Sequence, residues 1–113
     1  MLIKFLRYQG VTSDKYLVSD TGRIWNAESG RELKLQDTGY LHVRINHGGK
    51  MLNIRVHKAV AETFIRDVKA GEVVNHLNGD KQYNFRVNLE ITTQSENVKH
   101  SIKMRNKLKE AIS

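Results

Sequence analysis

The stretch from Val74 to His100, VNHLNGDKQYNFRVNLEITTQSENVKH, constrains the fold more than any other part of the chain. Asn75 and His76 close a short apolar run begun by Val73 and Val74, and Asn78-Gly79 then signals a turn, because both residues tolerate positive φ. After a polar loop over Asp80–Arg86, a second short strand is expected through Val87, Leu89 and Ile91. A helix is expected to start near Thr93. Thr93-Gln94-Ser95-Glu96 has capping-box spacing, in which the Thr and Glu side chains satisfy free backbone N–H groups. On that helix Asn97 and His100 lie three residues apart and share a face. The order is strand, loop, strand, helix.

Upstream the pattern is β. Met1–Asp14 offers only an apolar, basic start. Tyr16–Ser19 and Arg23–Trp25 flank Asp20-Thr21-Gly22, a tight-turn sequence, and by composition make an ordinary hairpin with a buried Trp25. Leu41, Val43 and Ile45 alternate with His42, Arg44 and Asn46. Leu52, Ile54 and Val56 alternate with Asn53, Arg55 and His57, and His47-Gly48-Gly49-Lys50 supplies a hairpin turn between the two runs. Period-2 alternation predicts an aliphatic core face and an opposite polar face carrying His42, Arg44, Arg55 and two asparagines. Such a face suits either solvent or phosphate and base edges. His57–Arg66 reads as a helix, with Val56, Val60 and Phe64 at i, i+4 spacing, and Asp67–Glu72 as a short polar connector. His57, alone at a strand–helix junction, reads as structural rather than as a metal ligand.

Charge narrows the partners. The formal net charge is +7 with a pI near 9.8, which favours an anionic partner, most commonly nucleic acid. Lys99, Lys103, Arg105, Lys107 and Lys109 against Glu110 put a net +4 between Asn97 and Ser113, on a helix expected to run through Lys109. A basic helix of that kind would touch phosphates without reading sequence, or serve as a solubilising tail. No apolar run is long enough to span a membrane, and charge interrupts any signal-peptide pattern at Met1–Gly10. The chain has no cysteine, so disulfides and thiolate zinc sites are excluded, and a cytoplasmic setting is expected. At 113 residues a single domain is expected.

The ordered run Val74-Asn75-His76-Leu77-Asn78-Gly79-Asp80-Lys81, then Asn88-Leu89-Glu90-Ile91-Thr92-Thr93, then Glu96-Asn97 resembles the HNH nuclease family. The likeness is to its phage and homing branch, which reads roughly V-[ND]-H-x-[ND]-G-[DN]-K, then N-L-E-W-x-T-x-x-E-N. Ile91 stands where that family usually has Trp, and Asn75 where many members have Asp. The segment YLVSDTGRIWN is also similar to a short modular motif found ahead of phage-type HNH domains, which implies an accessory DNA-contacting hairpin. The fold class implied is α+β. An antiparallel N-terminal sheet of two hairpins (residues 1–56) would contact DNA, and residues 57–113 would hold a helix, a ββα-metal (His-Me finger) motif and the basic C-terminal helix.

The same resemblance implies a metal-dependent DNA endonuclease that nicks or cuts both strands, or else a DNA-binding module that has lost cleavage. His76 corresponds to the general base, and Asn88 to the asparagine that pins the loop and orients it. Asn75 and Asn97 correspond to ligands of one divalent cation, Mg²⁺ or else Mn²⁺. His100 is a third ligand or a DNA contact, and which of Asn97 and His100 completes the site stays open, with spacing favouring Asn97. A neutral amide is a weaker ligand for a hard cation than a carboxylate, so Asp80 would compensate if its loop folded back. Arg44, Arg55, Lys81, Lys99, Lys103 and Arg105 are the cations expected on double-stranded DNA. A long recognition site would call for a homodimer or a partner protein, and a phage gene expressed in a bacterial host is the expected source.

Overall fold

The N-terminal segment that sequence left blank forms the first strand. Leu6 and Tyr8 alternate inward along β1 (Ile3–Tyr8), which returns through Gln9-Gly10 into β2 (Val11–Ser19). β2 in turn pairs with β3 (Ile24–Asn26), so the expected hairpin is the inner half of a three-stranded antiparallel sheet. Trp25 is half-buried rather than buried. The Arg23 guanidinium lies 5.2 Å from its ring centroid and pairs with Glu32 at 2.6 Å. The computed structural model describes residues 1–95.

A second antiparallel sheet takes the order β4 (Gln36–Asp37), β5 (Leu41–His47), β6 (Lys50–Arg55). The β5–β6 hairpin closes as the residue pattern requires. Gly48 and Gly49 take φ of 61° and 81°, the mirror-image turn whose twist matches antiparallel strands. Val43 faces Ile54 and Ile45 faces Leu52, while Arg44 and Asn53 pair on the exposed side. The polar face is less uniform than period-2 alternation predicts. His42 is buried, and its Nδ1 donates to the Tyr40 carbonyl at 3.2 Å.

α1 (Val56–Phe64) begins directly where β6 ends and stops two residues short of the expected Arg66. The N–H groups of Ile65 and Arg66 both turn back to the Ala61 carbonyl, which closes the last turn. Ala59, Val60 and Ala61 are fully buried, and the core around them is Leu6, Val18, Ile24, Ile45, Ile54 and Val56. α1 lies against β1 and β2 on one side and against the second sheet and the C-terminal strands on another. Its buried Glu62 is satisfied by the Gln9 N–H at 2.8 Å, and Thr63 Oγ1 accepts the Arg7 N–H at 2.9 Å. These two bonds meet β1 just past the register shift between Phe5 and Arg7. The Arg7 N–H lies at the shift and the Gln9 N–H in the turn that follows β1, and α1 takes up both.

The connector 65–71 is tied down at both ends, by Arg7–Asp67 at 2.6 Å and Arg66–Glu72 at 2.7 Å. β7 (Glu72–His76) and β8 (Leu89–Thr93) then form a two-stranded sheet of their own. Val87, expected in the strand, belongs instead to a 3₁₀ turn over Arg86–Asn88 and is exposed. Thr93 is the last residue of β8, and the chain turns helical at Gln94 and Ser95. Residues 96–113, with the expected basic helix, lie outside the described residues. Within 1–95 the architecture is α+β, with small antiparallel sheets and one helix.

Candidate active site

β7 and β8 pair in register from Glu72–Thr93 to His76–Leu89, and the residues of the central motif sit at the open end of that ladder. His76 is the last residue of β7 and is only 7% exposed. Its Nε2 is 2.7 Å from Asn84 Oδ1. A carbonyl oxygen only accepts, so Nε2 carries the ring proton and the lone pair resides on Nδ1.

The loop between the strands is held from inside by amide side chains. Asn88, buried at the end of the 3₁₀ turn just before β8, accepts the Asn78 N–H at 3.1 Å through Oδ1. Its Nδ2 donates to Asn78 Oδ1 at 2.9 Å and to the Tyr83 carbonyl at 2.8 Å. The Leu77 N–H reaches the Asn88 carbonyl, and the Gly79 N–H reaches the His76 carbonyl at 3.0 Å. Asp80 does not fold back toward Asn75; its Oδ1 accepts the Gln82 N–H at 2.9 Å, within its own turn.

Asn75 faces Glu90 across the ladder, and its Nδ2 donates to Glu90 Oε1 at 3.0 Å. That bond engages the amide nitrogen and leaves Oδ1, the oxygen suited to a hard cation, outside the pair. It also places a carboxylate beside a position where an amide replaces one. Among the described residues no three histidine or carboxylate side chains gather into a metal-holding cluster, so Asn75 Oδ1 and the Glu90 carboxylate are the oxygen donors that this end of the ladder offers a hard cation. Asn97, His100, Lys99, Lys103 and Arg105 all lie outside the described residues.

Three rings pack in tilted contact at the junction of α1 with the two hairpins. The centroid of His57 is 5.1 Å from that of His76 and 5.0 Å from that of Tyr40. Burial, together with the charges of His76, Arg55 and Lys58, pushes the His57 imidazolium down to about 4, so His57 is neutral at pH 7. Two of the expected DNA-binding cations converge on Tyr40: Arg55 lies 5.1 Å and Lys81 5.0 Å from its ring centroid. Arg44 stands apart from this group, exposed on β5. Beside the rings opens a cavity of about 340 Å³ lined by Tyr40, Arg55, His57, Lys58, Glu72 and Gln94. Arg66 holds the Glu72 carboxyl down at about 2.

No family model matches the chain. DNA endonuclease I-HmuI of Bacillus phage SP01 is 37% identical over 89 residues, covering 77% of this chain and 51% of that protein. An uncharacterized HNH endonuclease, L245, of Acanthamoeba polyphaga mimivirus is 34% identical over 98 residues, covering 85% of this chain and 30% of that protein. A solved structure described as DNA binding and cleavage by the HNH homing endonuclease I-HmuI superposes with a TM-score of 0.79 at 34% identity. It covers 92% of this chain and 59% of the other. The chain belongs to the HNH endonuclease family. It spans about half the length of I-HmuI and under a third of L245.

Sequence reasoning missed several residues of this candidate site. Asn84 holds the His76 ring, yet nothing in the spacing of the loop singles it out. Glu90 stood in plain view within Asn88-Leu89-Glu90, and the period-2 register would have placed it opposite Asn75. Tyr40 comes from the bend between β4 and β5, and no local pattern connects it to His76. Gly22 is the last. At φ +88° on the β2–β3 turn, an added Cβ would meet Asn84 Cβ at 3.2 Å and its carbonyl at 3.4 Å. The neighbouring Asp20 carbonyl accepts the Arg86 N–H at 2.7 Å. The turn read as an accessory hairpin is thus packed against the loop that holds the histidine.

Proposed function

We propose that this chain is a metal-dependent DNA endonuclease of the phage and homing HNH type, with His76 as its general base. One observation carries the reading: the Asn84 carbonyl oxygen at 2.7 Å commits Nε2 to donation and leaves Nδ1 free to take a proton. Hydrolysis of a phosphodiester needs a water stripped of a proton as it attacks phosphorus, and a leaving 3′ oxygen whose charge is neutralised. Nδ1 of His76 accepts that proton. Asn88 keeps the loop closed so that the strand end and Asn84 hold the ring in one orientation, and the tilted contact with the His57 ring restricts its movement. A base that does not reorient loses little rate to mispositioning.

A divalent cation would be held by Asn75 Oδ1 and by Asn97 or His100, and when bound it supplies positive charge to the phosphate and the leaving oxygen. Mg²⁺ is the expected ion, with Mn²⁺ a substitute, since both prefer oxygen donors and leave sites for phosphate and water. Glu90 keeps the Asn75 amide turned for this role and adds negative charge nearby. Arg55, Lys81 and Arg44, with Lys99, Lys103 and Arg105, would take the DNA backbone, a salt-sensitive contribution without sequence information. A second copy or a partner protein would be needed for a site longer than this surface.

The test is plasmid cleavage in Mg²⁺, Mn²⁺ or EDTA, comparing wild type with His76→Ala. Metal-dependent nicking or linearisation, reduced about 10³-fold or more in the variant while DNA binding persists, is expected. A specific observation favours one alternative: Asn75 is a neutral ligand where many HNH sequences carry Asp. Wild type that binds DNA equally with and without metal, and never cuts, would make this a DNA-binding module built on the nuclease scaffold.

A further inference from the structure

The loop that holds His76 has an outer face that its inner role does not explain. Asn84 points inward, 3% exposed, while its neighbours Tyr83 and Phe85 are 39% and 38% exposed. Asn84 is turned to His76, 2.7 Å from its Nε2, while the rings of its two neighbours meet each other in solvent. The two rings stack on each other, 4.6 Å between centroids and 17° from parallel. Two residues further on, Val87 is 75% exposed. Single exposed apolar residues need no explanation, but Tyr83, Phe85 and Val87 at alternate positions form a patch.

The patch is rigidly presented. Asn88 grips the Tyr83 carbonyl at 2.8 Å, Asp20 accepts the Arg86 N–H at 2.7 Å, and Gly22 packs against Asn84 between them. Two exposed cations, Lys81 and Arg86, flank it, and the carboxylates beside it, Asp37 and Asp80, are both taken up by Gln82. Flat aromatic faces bracketed by cations suit nucleic acid, where the cations meet phosphates and the rings meet bases.

We propose that Tyr83 and Phe85, backed by Val87, form an apolar wedge that stacks on a partly opened base step of duplex DNA close to the bond that is cut. The proposal rests on the endonuclease reading for its substrate. The rings are each one residue from Asn84, which touches the His76 ring, so the opened step lies within about three steps of the cut at about 3.4 Å per step. Opening a step there kinks the duplex, and a kinked duplex can bring more phosphates to Lys81, Arg86 and Arg55.

The experiment uses the whole chain and a duplex covering its footprint, with 2-aminopurine placed singly at each position around the cut, in Ca²⁺ or EDTA. Wild type should raise the fluorescence several-fold at one or two positions. Tyr83→Ser/Phe85→Ser should abolish the rise while keeping the wild-type melting temperature, since both side chains are substantially exposed. Phe85→Trp provides a second reading: its emission should be quenched by the duplex, against the background of the single native tryptophan, Trp25. Wild type that cuts yet leaves every 2-aminopurine stacked overturns the wedge alone. So does a double variant that unstacks the duplex as wild type does, including one that instead loses self-association in sedimentation. Wild type that opens the step but never cuts in Mg²⁺ or Mn²⁺ keeps the wedge and overturns the endonuclease reading. Wild type that binds no DNA overturns both.

Discussion

The β5–β6 and β7–β8 hairpins are built from similar strands and closed in opposite ways. β5–β6 turns on Gly48-Gly49, and its register follows from backbone geometry and the Val43–Ile54 and Ile45–Leu52 pairs. β7–β8 is interrupted by residues 77–88, and its loop is closed by Asn78, Asn84 and Asn88 through side-chain hydrogen bonds. A tight turn has few backbone freedoms to suppress. A long loop must be ordered by contacts of its own, and those contacts become the means of aiming a side chain. The candidate chemistry sits in the second hairpin for that reason.

The sharpest way to break this contrast is Asn88→Ala. It removes a buried side chain that makes three hydrogen bonds and strands the Asn78 N–H and the Tyr83 carbonyl. A loss of about 2–4 kcal/mol in urea denaturation is expected, with cleavage down about 100-fold or more. A variant that keeps wild-type stability and rate would mean the loop is ordered by something other than its amides.

A pair of glycine substitutions compares the two closures directly. Gly22→Ala forces a side chain into φ +88° and drives Cβ to 3.2 Å from Asn84 Cβ, so a cost of about 2–3 kcal/mol is expected, with reduced cleavage. Gly48→Ala, at φ +61° with nothing within 4 Å, should cost about 1 kcal/mol and leave the rate per folded molecule unchanged. Thermal melts paired with single-turnover cleavage would read both. Equal effects on cleavage would deny that the β2–β3 turn supports His76.

The contrast also explains what was legible in the chain. Alternation at Leu41–Val56 predicted β5, β6 and the start of α1 closely, because both the pattern and the turn are local. The motif residues Asn75, His76 and Asn88 were visible through their order. Tyr40, Asn84 and Gly22 were not, since each acts through a tertiary contact that leaves no periodic trace. β1 was missed because its outward residues, Ile3 and Phe5, are as apolar as its inward ones, so alternation gave no signal. The register shift at Leu6 blurred it further.

Acid should act where the two hairpins meet. His57 has its ionisation pushed from 6.5 down to about 4, chiefly by burial. Between those values the unfolded chain binds a proton that the folded one refuses. This group's contribution is therefore complete above about pH 6.5 and is lost as pH falls toward 4. A loss of about 2 kcal/mol by pH 5 is expected from this group. His57→Gln should flatten that part of the stability–pH curve measured by urea denaturation. An unchanged slope would assign the acid sensitivity elsewhere.

The smallest effect expected concerns the Asn75–Glu90 pair, and it separates a missing charge from a relocated one. Asn75→Asp restores the residue many HNH sequences carry, but here it exchanges a hydrogen bond of 3.0 Å for two carboxylates in contact. Without metal the variant should be destabilised by about 1 kcal/mol, from the lost bond and the like charges. With Mn²⁺ the order should reverse, because a divalent cation beside both carboxylates gains from each. About tenfold tighter Mn²⁺ binding by calorimetry, with a larger metal-induced rise in melting temperature, is expected. Adding Glu90→Gln should cancel the destabilisation and part of the gain in affinity. If Asn75→Asp changes neither, position 75 is no ligand, and Glu90 serves only to pair the strands.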